Sequence, residues 1–168
     1  PKHLTVSNYS AAWTKLGGTA TFLRTIGLTV TTSVLIVISS TLVGYGLARF
    51  KFKLNGLVFG LVILALVLPS DLLFTPRYIM FSNLNMLNTS WIPMLAFSIT
   101  CTGLKCSLYI FLMRQFFKGQ PHELEEAAYV DGAGPLKTFV SIMLPGAVSM
   151  MITVFLFAFV WQWLDDSY

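Results

Sequence analysis

Four of the seven acidic residues crowd into one short stretch: Glu123, Glu125, Glu126 and Asp131. No other part of the chain concentrates charge in this way. Carboxylates at the start of a helix are favoured by its dipole, and Pro121 suits a first turn, where its missing N–H costs nothing. Ala127 and Ala128 leave one side of such a helix shallow. Gly132 is placed to end it in the left-handed C′ conformation. Gly134-Pro135 then restarts the chain as a second helix, which Pro145 breaks or kinks. The spacing predicts a short, acidic, exposed helix between two sharp turns. Its available chemistry is docking onto another protein, and a solvated amphipathic connector fits the same residues.

Other chemistry-bearing residues are sparse. Trp161-Gln162-Trp163 with Asp165-Asp166 offers aromatic faces and carboxylates, the groups that hold sugars. Trp also gathers at membrane interfaces as an anchor. Lys105 is a cation inside an apolar stretch, which is costly in lipid and marks a functional candidate unless it snorkels to the surface. His3 and His122 stand alone and suggest no metal site. Cys101 and Cys106 are five residues apart, on different faces of a helix, and read as small buried apolar residues. No GxxxxGK[ST] phosphate loop occurs, so ATP is not bound by this chain.

The elements that position these residues are membrane helices. Of 168 residues, 55% are hydrophobic and 11% are charged, against about 25% charged in soluble domains. The 11 Lys and Arg are spread along the chain, which argues against a nucleic-acid surface. A membrane-spanning helix needs ~20 mostly apolar residues. Four stretches qualify, at about 25–48, 54–74, 90–113 and 140–164. The first is rich in β-branched residues, yet in lipid the backbone must satisfy itself and helix wins.

Basic residues orient the spans. The first link holds Arg49, Lys51 and Lys53, and the third holds Arg114, Lys118 and Lys137. The second holds Arg77 alone, so the first and third links are expected in the cytoplasm. Residues 1–21 form an external flank, 22–168 the transmembrane domain, and 114–139 the cytoplasmic loop. Gly56 and Gly60 form a GxxxG, a weak sign of close helix contact. The chain opens without Met and ends just after an apolar stretch, which reads as a piece of a longer polytopic protein.

A family resemblance rests on these same residues. Glu126-Ala127-Ala128, three residues, Gly132, nine residues, then Ile142-x-Leu144-Pro145 resembles the EAA motif of ABC importer permeases at every defined position. Arg114-Gln115-Phe116-Phe117, Pro121-x-Glu123-Leu124-Glu125 and Asp131-Gly132-Ala133 look like carbohydrate permeases of the maltose-transporter type, in particular the G-like partner. Asn8-Tyr9 and the polar flank resemble the external segment before that family's second span. Where the family often has Trp-Asn-Asp, this chain has Trp163-Leu164-Asp165.

The resemblance covers essentially the whole chain. It implies an all-α polytopic helix bundle of the type I ABC importer permease fold, with further spans before and after this piece. It implies a sugar-importing permease in a bacterial plasma membrane, without catalytic residues of its own. Its partners would be a second permease in a heterodimer, two ATP-binding subunits and an extracellular solute-binding protein. Glu123, Glu125, Glu126, Ala127, Ala128, Asp131 and Gly132 would couple to the ATPase. Lys105, Trp161, Trp163 and Asp165 would be candidates for the substrate path. Alternative solutes are amino acids or glycerol phosphate, and a secondary transporter is the more distant reading.

Overall fold

Small and hydroxyl residues line the inner side of the longest helix, and large apolar residues line its outer side. The computed structural model describes residues 7–68, 72, 74–85 and 104–164. Helix α1 spans Ser7–Lys15 and α2 spans Gly18–Arg49. On α2 the buried positions are Thr29, Thr32, Ser33, Ile36, Val37, Ser40, Thr41, Gly44, Tyr45 and Leu47. They recur every three or four residues, which makes one continuous helix face. Val30, Val34, Ile38, Leu42 and Val43 are exposed. This order inverts that of a water-soluble helix and suits one surrounded by lipid, where helices meet through small residues.

Three of the buried hydroxyls are satisfied within the helix. Thr32 donates to the Leu28 carbonyl at 3.0 Å, Ser33 to Thr29 at 2.7 Å and Ser40 to Val37 at 3.2 Å. Each of these three bonds its own helix backbone. At 1.5 Å per residue, the 32 residues of α2 are ample for a hydrocarbon core of about 30 Å.

The second expected span is shorter than the hydropathy pattern predicts. Helix α3 spans Asn55–Val67 and α4 spans Phe74–Asn83. The 13 residues of α3 reach only about 20 Å, so the expected span 54–74 is not one helix. Leu68 leaves helical geometry at φ −68° and ψ 130° because it precedes Pro69, whose ring excludes the α conformation there. Helix α5 spans Leu104–Gly119. It runs past the expected end at 113, and residues 86–103 of the third expected span lie outside the described residues.

Helix α6 spans Glu123–Val130 and α7 spans Pro135–Thr138; a π-helical turn, Phe139–Met143, leads into the short α8, Leu144–Gly146, and then α9, Val148–Trp163. The expected span 140–164 is therefore bent. The axes before and after Ala147 differ by 72°. Pro145 has no N–H to return to the carbonyl four residues back, and the π turn has already loosened the ladder there. Among the described residues no strand occurs, and α2 is the single unbroken helix long and apolar enough to cross a membrane.

Helix α2 is the centre of the packing, with α5 and α9 against it and α3 against α5. Its crossing with α5 is set by Gly44. A Cβ there would lie 2.6 Å from Met113 Cβ and 3.0 Å from the Arg114 backbone nitrogen. The GxxxG pair makes no such contact, since a Cβ on Gly56 or Gly60 would meet nothing within 4 Å. Helix α3 instead meets α5 through Phe59, stacked on Phe111 and covered by the Arg114 guanidinium 3.5 Å from its centroid.

Asn55 holds the α2–α3 link. Its Nδ2 donates to the Leu47 carbonyl at 3.2 Å and to the Phe50 carbonyl at 2.8 Å. These cover carbonyls that the end of α2 leaves without partners. Asn55→Ala is expected to cost about 1 kcal/mol of stability. A lowered unfolding midpoint of the detergent-solubilised protein would register it, and an unchanged midpoint would refute it.

Candidate coupling site

The acidic helix α6 has two faces with different tasks. Helical spacing places Glu125 and Ala128 on one side, and both are buried. It places Glu123, Glu126, Ala127 and Val130 on the other, all exposed, Val130 at 87%. Leu136, at 76%, extends this exposed surface beyond the turn. A free-standing apolar and acidic strip of this kind suits a protein partner with a basic, partly apolar cleft.

The inner face is tied down by charge. The Tyr45 hydroxyl donates to Glu125 Oε1 at 2.8 Å. Arg49 Nε lies 3.4 Å from Glu125 Oε2, with both side chains buried. Arg49 Nη2 donates to the Gln120 carbonyl at 2.9 Å. Its Nη1 stands 2.8 Å from His122 Nδ1 and 3.1 Å from Nε2. Only a ring nitrogen without hydrogen can accept from it. One guanidinium thus grips the carbonyl, the ring and the carboxylate that lead into α6.

Aromatic rings surround the node. Tyr45 packs against Phe139 at 4.5 Å between centroids, Phe117 at 5.3 Å and Phe50 at 5.9 Å. Phe117 is wholly buried. The end of α2, the end of α5, the π turn and α6 therefore converge on Tyr45 and Glu125. This brings the first and third links to the same end of the bundle.

The turn after α6 is closed by backbone bonds. Gly132 N–H donates to the Tyr129 carbonyl at 3.0 Å and Ala133 N–H to the Ala128 carbonyl at 2.9 Å. Gly132 has φ +79°. This is the Schellman arrangement, which places a left-handed residue at C′. Gly134 is extended and Pro135 opens α7. The helix itself starts at Glu123, so Pro121 precedes its first turn rather than occupying it.

Residues 40–165 match the family described as the binding-protein-dependent transport system inner membrane component. The chain belongs to that family. Its curated relatives include the diacetylchitobiose uptake system permease protein NgcG of Streptomyces coelicolor, 31% identical over 97% of this chain and 53% of the relative. The melibiose/raffinose/stachyose import permease protein MelC of Bacillus subtilis is 32% identical over 100% of this chain and 60% of the relative. The sn-glycerol-3-phosphate transport system permease protein UgpE of Yersinia enterocolitica is 37% identical over 74% of this chain and 42% of the relative. The chain spans about half the length of the curated relatives it matches. It is thus a membrane component of the transport-permease kind.

Of the residues expected on the substrate path, the two tryptophans have different surroundings. Trp161 lies 6.0 Å from the buried Tyr109. Trp163 instead meets Phe22 edge-on at 6.0 Å and stacks on Phe159. It helps line an apolar groove of about 370 Å³ with Phe22, Ile26, Phe159, Val160 and Leu164. Lys105 is the second residue of α5, at the end away from α6. Its side chain, like Asp165, lies outside the described residues.

The Arg49–Glu125–Tyr45 connection is the feature that sequence reading missed. Arg49 had served only to orient the first link. A signal was present, since Glu125 and Ala128 share a helix face and an inward carboxylate needs a cation. Arg49 lies in a link expected on the same side of the membrane.

Proposed function

We propose that this chain is the core of a permease subunit in an ATP-driven carbohydrate importer of a bacterial plasma membrane. Four membrane crossings, at about 25–48, 54–74, 90–113 and 140–164, would build its part of the path. It would pair with a second permease, two ATP-binding subunits and an extracellular solute-binding protein. The single observation that carries this reading is α6. One face of the EAA helix is held against the membrane helices, and the other stands exposed at the end of the bundle.

Glu126, Glu123, Ala127 and Val130 would enter a cleft on the ATPase, with Glu126 accepting a charge-assisted bond there. The Asp131–Gly132 turn would keep the helix at its angle. ATP-driven closure of the ATPase pair would shift α6 and tilt the spans between outward and inward openings. Trp161, paired with Tyr109, is the better placed aromatic for a sugar ring, with Lys105 and Asp165 as further candidates. Trp163, in its apolar groove, acts as an interfacial anchor. Sugar names among the relatives support a carbohydrate, and the glycerol phosphate relative defines the competing solute.

The test uses the full-length permease in its assembled transporter. Glu126→Lys should leave membrane insertion intact and abolish the ATP hydrolysis stimulated by loaded solute-binding protein. Gly132→Val, which forces a β-branched residue to positive φ, should have the same effect. Normal transport by either variant would refute the coupling role.

A further inference from the structure

Covalent and non-covalent routes connect α6 to the transmembrane helices. One covalent link, residues 120–122, leads back to α5, and the other passes through the Gly132 turn, α7, the π turn and the 72° bend before α9. Each element of this second link is a place where the backbone can flex, and π turns and proline bends are common sites of local yielding. A further route is non-covalent. It runs from Glu125 to Tyr45 and Arg49, at the last turns of α2. Helix α2 is one unbroken element of 32 residues that reaches the far end of the bundle, where Phe22 touches Trp163.

We propose that Glu125 is a positioning residue for transport, the grip through which movement of α6 is passed directly to α2. Three observations argue for this. The carboxylate is buried, with one oxygen accepting a hydrogen bond from Tyr45 and the other in an ion pair with Arg49. Charge-assisted contacts in a dry, low-dielectric site are strong and directional. Arg49 also holds Gln120 and His122, so the start of α6 cannot swing without dragging α2. Finally, Tyr45 is wedged among Phe50, Phe117 and Phe139, which spreads the load to α5 and the π turn. The inward face of the EAA helix is thus the output side of the lever, and its exposed face is the input side.

This rests on the coupling reading above, and the two fail differently. The full-length permease is assembled with its ATPase and second permease subunits in proteoliposomes and supplied with its solute-binding protein. Assembly, ATP hydrolysis and uptake of labelled melibiose, raffinose and diacetylchitobiose are measured. Glu125→Gln keeps shape and one hydrogen bond but removes the charge. Tyr45→Phe keeps the ring packing and removes one donor. Both should retain ATP hydrolysis while sugar moved per ATP falls, by about tenfold for Glu125→Gln and less for Tyr45→Phe. A merely structural residue would lower the amount of complex and leave sugar per ATP unchanged. That result in Tyr45→Phe, or in an assembled Glu125→Gln complex, overturns the proposal. If Glu126→Lys uncouples the complex while these two do not, the coupling reading stands and the role of Glu125 falls. If wild-type uptake does not require ATP, both fall.

Discussion

Gly44→Val is expected to prevent α2 and α5 from closing on one another. The new Cβ would sit 2.6 Å from Met113 Cβ, 3.0 Å from Arg114 N and 3.1 Å from the Met113 carbonyl carbon. Two of those atoms are backbone, so no side-chain rotation relieves the overlap. Overpacking of this kind costs about 1–3 kcal/mol or more, and here it falls where the largest buried side chains meet. Met113, Tyr109 and Phe117 are almost wholly buried on α5. The expected result is a large loss of monodisperse protein after detergent extraction and faster proteolysis of what remains. Gly44→Ala should show the same defect in milder form. Gly46 is the internal control, because a Cβ there meets nothing within 4 Å. Gly46→Ala should be neutral or slightly stabilising, since alanine orders a helix better than glycine. Equal behaviour of Gly44→Val and Gly46→Ala would remove the close crossing from this account.

Arg49→Ala should be the most damaging single charge removal among the described residues. It leaves the Glu125 carboxylate buried with Tyr45 as its remaining donor and deprives the Gln120 carbonyl of its partner. Removing one member of a buried ion pair costs about 3–5 kcal/mol, because the other is left as an uncompensated charge. Thermal unfolding of the solubilised protein should shift down strongly. The segment between α5 and α7 should become the first site of cleavage by a glutamate-specific protease, which cuts after Glu123, Glu125 or Glu126. The Arg49→Ala/Glu125→Ala pair should recover part of this loss, since no buried charge remains. A double variant no more stable than Arg49→Ala would show that Arg49 acts through packing rather than through Glu125. His122 should matter little, since it is exposed and exposed pairs contribute about 0–1 kcal/mol.

Much of the membrane character was legible along the chain. Lipid imposes a local rule, that a crossing segment must be apolar and helical, and a local rule can be read from consecutive residues. Arg49 marked the end of α2, whereas α5 runs on past Arg114 to Gly119. Gly132 was legible because a left-handed C′ position has few alternatives to glycine. Pro145 announced an interruption, though not that the axis would turn by 72°. The short extent of α3 was less visible. Its hydropathy continues through Pro69, and hydropathy does not record where the backbone must leave the helix.

The sequence by itself determined that this is a helical membrane component, which links share a side, and where the EAA loop lies. It did so because scarce charge and long apolar runs are properties of neighbouring residues. Only the tertiary structure decided which glycine brings two helices together and which carboxylate turns inward. Gly44 and not the Gly56–Gly60 pair makes the close crossing, because in lipid the buried and exposed faces of a helix are both apolar and periodicity does not separate them. Glu125 rather than its neighbours joins α6 to α2, through partners 80 and 76 positions away at Tyr45 and Arg49. That pairing depends on two helix ends meeting at one end of a bundle. No pattern confined to a single segment contains it.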